Sequence, residues 1–383
     1  MIARLAPPIH SGAGQQAVRL ASRLVARGIE VRLLTTRFGF GLPRRGLSGG
    51  VPVVRWPVWG PARMQKLLFS VAVLLHLIAH PRRYAVVHLH GAFFVLRTLR
   101  LIKPMLRFRV VYKATMVGLD DAVRVRDVRG AAFLAVVDCW ACIAAPLAAA
   151  ARKAGVARDR ILQVPNGIDL DLFLPRPQQR AACRRALGLP ETETIWTTIG
   201  AVVPRKGHDL LVEAWLELPT PRPWLLIVGP LESPTDGDAD YVRALTTRIQ
   251  ELGLSGAVRL VGERSDIPEL LAASDGFVFA SAHEGLPNAM LEALSVGLPV
   301  VTTAFEAVED VRTLAPGRVT VVARSAFVIA GAVRRQSTRS PANEPSAKLR
   351  ALDLETVADR YASAYAELIG DAGITRRGDI VRA

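Results

Sequence analysis

The chain has 383 residues, half of them hydrophobic, and its 49 Lys and Arg exceed its 34 Asp and Glu to give a net charge of +15. This length accommodates two domains with sizeable cores. No apolar run reaches the roughly 18 residues of a membrane span, no export signal is visible, and three cysteines are too few for a disulfide framework, so a cytoplasmic location is expected.

The charge is divided unevenly. Residues 1–165 carry 26 Lys and Arg against 6 Asp and Glu, a net +20, whereas residues 166–383 carry 23 against 28, a net −5. The basic half has few aromatics to stack on bases and no nucleic-acid motif, so nucleic acid is not the expected partner. An anionic membrane surface or a lipid-phosphate-linked acceptor suits it better, which would place the protein at the inner face of the cell membrane. The plainer reading is an arginine-rich composition without a partner.

In chain order, Met1–Pro7 leaves room only for a very short first strand, unless the true start lies upstream. Val18, Leu20, Ala21, Leu24 and Val25 make a helical face that Gly28 ends, and Val31–Thr35 reads as a strand. Leu67–Ala79, flanked by Arg63, Lys66, Arg82 and Arg83, reads as a buried helix or as one lying on lipid. Strands are expected at Val86–Leu89, Val110–Lys113 and Asp138–Ala144. Cys139 and Cys142 form a CxxC, but on a strand residues three apart face opposite sides, which favours core over metal or redox chemistry.

Val164–Pro175, with an Asn-Gly turn and a closing Pro, reads as a hinge. A second series of strands is expected at Thr194–Gly200, Trp224–Gly229, Val258–Val261, Gly276–Ala280 and Val300–Thr302. Gln336–Lys348 reads as a connector and Leu354–Ile369 as a final helix. The expected architecture is α/β: two doubly wound, Rossmann-like domains, residues 1–170 and 171–353, facing a central cleft, with residues 354–383 crossing back to the first. Asp236, Asp238 and Asp240 resemble metal ligands, but acidic residues ahead of a helix more simply complement its dipole.

The run Gly262–Thr303 is the most informative. An apolar strand leads through a small polar turn to Pro287, where a helix begins, and Gly297 ends it. Such a junction presents backbone N–H groups and the positive end of a helix dipole to a phosphate or to sugar hydroxyls. Glu284 stands in the loop, and Glu292, eight positions on, lies about 80° round a helix, so both carboxylates can address one ligand.

The pattern S-x-x-E-G-x-P-N-x-x-x-E-A resembles the donor-site signature of the retaining glycosyltransferases of family 4, which have the GT-B fold. The resemblance extends from about Pro8 to Thr303. It implies that Glu284 and the N–H groups of Gly285, Leu286, Pro287 and Asn288 face the donor sugar, with Glu292 on the ribose and Arg264 also at the donor. Pro287, as an imino acid, supplies position rather than an N–H. Arg205 and Lys206, in IGAVVPRKGHDLLVEA, match a diphosphate clamp, although the family arginine often stands where this chain has Ala201. Gly12 and Gly14 correspond to a Gly-rich diphosphate loop.

The resemblance also puts a histidine near the reacting carbon on the acceptor side. His90 is favoured over His88, with a buried structural histidine as the alternative. Lys113, Thr115 and Asp120 fit acceptor or phosphate contacts, or else a solvated loop. Where the family usually has a Gly-Gly loop, this chain has Ala304-Phe305-Glu306-Ala307. No cofactor and no metal are expected. The implied reaction moves a hexose from a UDP- or GDP-sugar to a glycan or lipid-linked acceptor. The alternatives are a nucleotide-sugar epimerase and a binding module without turnover.

Overall fold

The computed structural model describes residues 1–9, 11–39, 41–231 and 238–370. It divides into two compact units. One comprises Met1–Gly167 with the C-terminal segment from Leu354, and the other comprises Ile168–Asp353. The crossing point, Gly167 to Ile168, lies inside the Val164–Pro175 segment.

The first unit is built on an eight-stranded sheet of β1 (Ile2–Ala3), β2 (Leu33–Arg37), β3 (Arg45–Ser48), β4 (Val51–Pro57), β5 (Val86–His90), β6 (Arg109–Ala114), β7 (Cys139–Cys142) and β8 (Ile161–Gln163). Their order is β3-β4-β2-β1-β5-β6-β7-β8, and only β3 runs antiparallel to its neighbour. β1 is two residues long yet central, pairing with β2 through Ile2–Leu34 and with β5 through Ile2–Leu89 and Ala3–His90. β3 and β4 form a hairpin on Gly49-Gly50, both at positive φ (54° and 77°), as the tight primed turn requires. The expected strand Asp138–Ala144 shortens to β7.

Flanking helices cover this sheet. Helix Gly12–Ala26 is capped by the Ser11 hydroxyl and buries Val18, Leu20, Ala21 and Leu24 of the expected face together with Ala17, whereas Val25 is exposed. Arg27 pairs with Glu355 and Asp359 of helix Leu354–Gly370, tying the end of the chain to this unit. Helix Ala62–Ala79 buries Phe69, Ala72, Val73, His76 and Leu77. At 18 residues and a mean hydropathy of 1.4 it is long and apolar enough to cross a membrane by length and composition, although no run of that length was expected.

The second unit has a six-stranded, wholly parallel sheet of β9 (Ile195–Ile199), β10 (Trp224–Val228), β11 (Val258–Gly262), β12 (Gly276–Phe279), β13 (Val300–Thr303) and β14 (Val319–Val322), ordered β11-β10-β9-β12-β13-β14. Its central strands are buried almost throughout and mostly apolar, with Thr197, Thr198, Thr302 and Thr303 among the buried positions, as parallel strands covered on both faces tend to be. The strand order reverses between β9 and β12, both of which pair directly in the middle of the sheet. That switch point is where the loops following the strands part and a ligand can enter.

Candidate functional site

The loops after β9 and β12 meet at the carboxyl end of the second sheet. After β9 the chain makes a short turn, Pro204–Lys206, and then starts helix His208–Leu216 at Gly207. Gly207 has φ +68, and a side chain there would lie 2.4 Å from the Ala280 carbonyl oxygen, so glycine is required for this close approach. Ala282 N donates to the Arg205 carbonyl at 2.9 Å, joining the two loops through their backbones. An Arg324 guanidinium nitrogen donates to the Ala280 carbonyl in the same corner.

Three donors converge on one oxygen of Glu284. Its Oε1 accepts from Lys206 Nζ at 2.6 Å, Arg205 Nη1 at 2.8 Å and Ser281 Oγ at 2.8 Å. Burial works to raise the Glu284 carboxyl, but Lys206 and Arg205, aided by the hydrogen bonds, overcome it and leave the group below its ordinary value. Burial lowers Lys206 from its ordinary value, with Glu284 opposing that shift and Arg205 adding to it. Lys206 Nζ also stands 5.0 Å from the centre of the Phe279 ring.

Pro287 occupies the N-cap position of helix Asn288–Ser295 and provides no side-chain cap, and the positive end of the helix dipole lies at this loop. Gly285, Leu286 and Glu292 are buried, Glu292 in the second turn of that helix. The Arg264 guanidinium pairs with Asp266, and with Arg259 it lines a pocket walled by Leu187, Leu226 and Leu260.

In the first unit, His90 is 3% exposed, and neither ring nitrogen has a protein hydrogen-bond partner. Its ring lies 4.3 Å from that of His88, whose Nδ1 meets the Tyr365 hydroxyl at 2.6 Å. Burial holds both imidazoles well below their ordinary value, and Lys113 reinforces the effect, so both are neutral. Lys113 itself is buried beside His90 in the sheet register and is lowered by burial to about 7. His88 is thereby bound into the packing of the C-terminal helix, while His90 keeps its polar atoms uncommitted.

Asp120 is not a solvated loop residue. Its carboxylate accepts from Thr115 N, Thr115 Oγ1 and Met116 N, closing the loop after β6, and burial raises it to about 6. Gly14 has a packing role: a side chain there would lie 2.2 Å from the Leu5 carbonyl oxygen, and its N–H points to the Ser11 hydroxyl. Gly12 is exposed at the helix start. Burial pushes the Cys139 and Cys142 thiols up to about 11 and about 12, as core cysteines. Among the described residues no group of three His, Cys, Asp or Glu could hold a metal ion. Asp238 caps helix Ala239–Glu251, Asp240 pairs with Arg243, and Asp236 lies outside the described residues.

These features place the chain in the GT-B fold. A sucrose-phosphate synthase from Thermosynechococcus elongatus superposes with a TM-score of 0.77 at 21% identity, over 94% of both chains. The Anabaena protein HepE, solved in complex with UDP-glucose, gives 0.73 at 20% identity, over 96% of this chain and 98% of its own. Residues 10–172 match the family described as Glycosyltransferase Family 4, and residues 179–336 match Glycosyl transferases group 1. The chain belongs to the family 4 glycosyltransferases. It is 33% identical over 148 residues to the UDP-Gal:alpha-D-GlcNAc-diphosphoundecaprenol alpha-1,3-galactosyltransferase of Escherichia coli. It is 34% identical over 158 residues to the lipopolysaccharide core biosynthesis mannosyltransferase LpsB of Rhizobium meliloti. The alignments take in 38% and 40% of this chain and span 36% and 44% of those relatives, less than half their length.

Sequence reasoning found Arg205, Lys206 and Glu284. It did not assign Ser281, although that serine opens the S-x-x-E pattern, nor Arg324, for which the sequence carries no signal. Because Glu284 sits below its ordinary value of 4.5, the stability it contributes is in place above that pH and is lost as pH falls through the folded value. Urea unfolding between pH 3 and 6 should therefore show a steeper loss in the wild type than in Glu284→Gln.

Proposed function

We propose that this chain is a retaining glycosyltransferase that moves a hexose from a UDP- or GDP-sugar to a hydroxyl of a glycan or lipid-linked acceptor, in the synthesis of lipopolysaccharide or a related surface glycan. The observation that carries this reading is the convergence of Arg205 and Lys206 on Glu284 beside an uncapped helix start. As the glycosidic bond breaks, the departing diphosphate gains negative charge. Two fixed cations at that point stabilise the transition state more than the ground state, which removes the need for a metal.

In this reading Glu284 and the N–H groups of Gly285, Leu286 and Asn288 orient the sugar, Glu292 the ribose and Gly12 the phosphates. His90 serves the acceptor. With retention the acceptor attacks from the side of the leaving phosphate, which takes up the acceptor proton, so no enzyme nucleophile is needed. The curated relatives act on lipid-linked or lipopolysaccharide acceptors by name, which supports the acceptor class. The rival reading, a nucleotide-sugar-binding module without turnover, draws support from Ala201 and from the replaced glycine pair.

We place the protein in the cytoplasm, at the inner face of the membrane. Helix Ala62–Ala79 is apolar on two sides: beyond its buried face, Leu67, Val71, Leu75 and Ile78 are exposed at helical spacing. Leu101 and Met105 add to the exposed apolar surface on helix Leu96–Leu106, which meets the first helix where Thr98 Oγ1 donates to the Ser70 carbonyl. No acidic residue occurs between Glu30 and Asp120, an interval with fifteen Lys and Arg. Apolar side chains rimmed by cations suit an anionic lipid surface.

Incubation with UDP-, GDP- and ADP-hexoses in EDTA should release one nucleotide, faster with membrane lipid extract, and Glu284→Ala should reduce that rate about 100-fold or more. Donor binding without release would establish the module instead. On vesicles, the chain should sediment with phosphatidylglycerol but not with phosphatidylcholine, and both added salt and the pair Leu67→Glu, Leu75→Glu should release it.

A further inference from the structure

We propose that Glu306 is a positioning and charge-selecting residue of the donor site, an inference that rests on the reading of Glu284 given above. Glu306 lies in the segment Ala304–Ala307, after β13, where the family usually carries two glycines. Its carboxylate reaches across to the neighbouring loop after β12. Oε1 lies 2.8 Å from His283 Nδ1, and Oε2 accepts from the Glu284 backbone N–H at 3.2 Å.

The adjoining residue anchors the same segment. Phe305 is 7% exposed and packs edge-on to Phe279 at 6.3 Å, the ring beneath Lys206. A glycine pair would leave this connection to be ordered by its ligand; here Phe305 and Glu306 order it beforehand. The tether acts on the backbone that aims the Glu284 carboxylate, so Glu306 works through Glu284.

The charge has a second effect. The Glu306 carboxylate is held on the backbone of the residue that carries the Glu284 carboxylate. Arg205 and Lys206 are engaged by Glu284, and His283 by Glu306. A donor sugar carrying its own carboxylate would bring a further negative charge beside Glu284 and Glu306, whereas sugar hydroxyls can donate to either carboxylate. The site therefore selects neutral hexoses over hexuronic acids.

Two variants separate the tether from the charge. Glu306→Gln keeps an oxygen for the Glu284 N–H and removes the charge; Glu306→Ala removes both. Rates are measured with the matched donors UDP-glucose and UDP-glucuronate, and GDP-mannose and GDP-mannuronate, alongside thermal unfolding. Glu306→Gln should stay within about threefold of the wild type on the neutral donor and narrow the neutral-to-uronate kcat/KM ratio about tenfold. Glu306→Ala should lower kcat on the neutral donor about tenfold with little change in KM.

An unchanged ratio in Glu306→Gln, with only a lower unfolding temperature in Glu306→Ala, would show that Glu306 merely supports the fold and would overturn the inference while leaving the transferase reading intact. A wild type that neither binds nor cleaves these donors or any other UDP-, GDP- or ADP-hexose would remove the transferase reading and this inference with it.

Discussion

A carboxylate buried beside two cations fixes the loops at the carboxyl edge of the second sheet. Glu284 is taken out of water and stays ionised because Lys206, Arg205 and Ser281 all donate to a single oxygen. Leaving any of these groups buried without its partner is expensive, so the two loops that carry them must be placed together. The Ala282 to Arg205 backbone bond, the glycine at position 207 and the Arg324 contact to Ala280 all serve that placement. A diphosphate entering here would compete with Glu284 for two cations already aimed at one point, Lys206 being also largely buried, which is the preorganisation that electrostatic catalysis needs.

The sheet explains why the cluster falls where it does. In a parallel sheet every strand delivers its loop to the same edge, and β9 and β12 are neighbours although the chain visits β10 and β11 between them. The residues after β9 and those after β12 thus meet across nearly eighty positions of sequence. The first unit follows the same logic with β5 and β6, which bring His90 and Lys113 into register. There the neighbouring groups are cationic or neutral, so burial and the nearby positive charge both hold the two imidazoles below their ordinary value.

Much of this was legible in the sequence because the relevant signals are local. The strands of the second sheet are short, mostly apolar runs, and all ten expected strands, the very short first one included, appear within a few residues of their places. β14 was not read, and in the first unit β3, β4 and β8 were missed. β4 carries Pro52 and Pro57, which argue against a strand, although the Gly49-Gly50 pair was a hairpin signal in plain view. The long-range facts were less accessible. Asp120 looked like a loop charge, because nothing local shows that its carboxylate closes its own turn. Gly14 looked like a phosphate-loop glycine, and only the position of the Leu5 carbonyl reveals what its missing side chain makes room for.

The central claim is that Arg205 and Lys206 grip a diphosphate while Glu284 holds the sugar. The most direct measurement is a crystal structure with a bound, hydrolysis-resistant nucleotide-sugar. The account predicts the phosphate next to the sugar within hydrogen-bond distance of Lys206 Nζ and Arg205, with a sugar hydroxyl on the Glu284 loop. Phosphates bound away from both cations, with the Glu284 ion pairs intact, would contradict it.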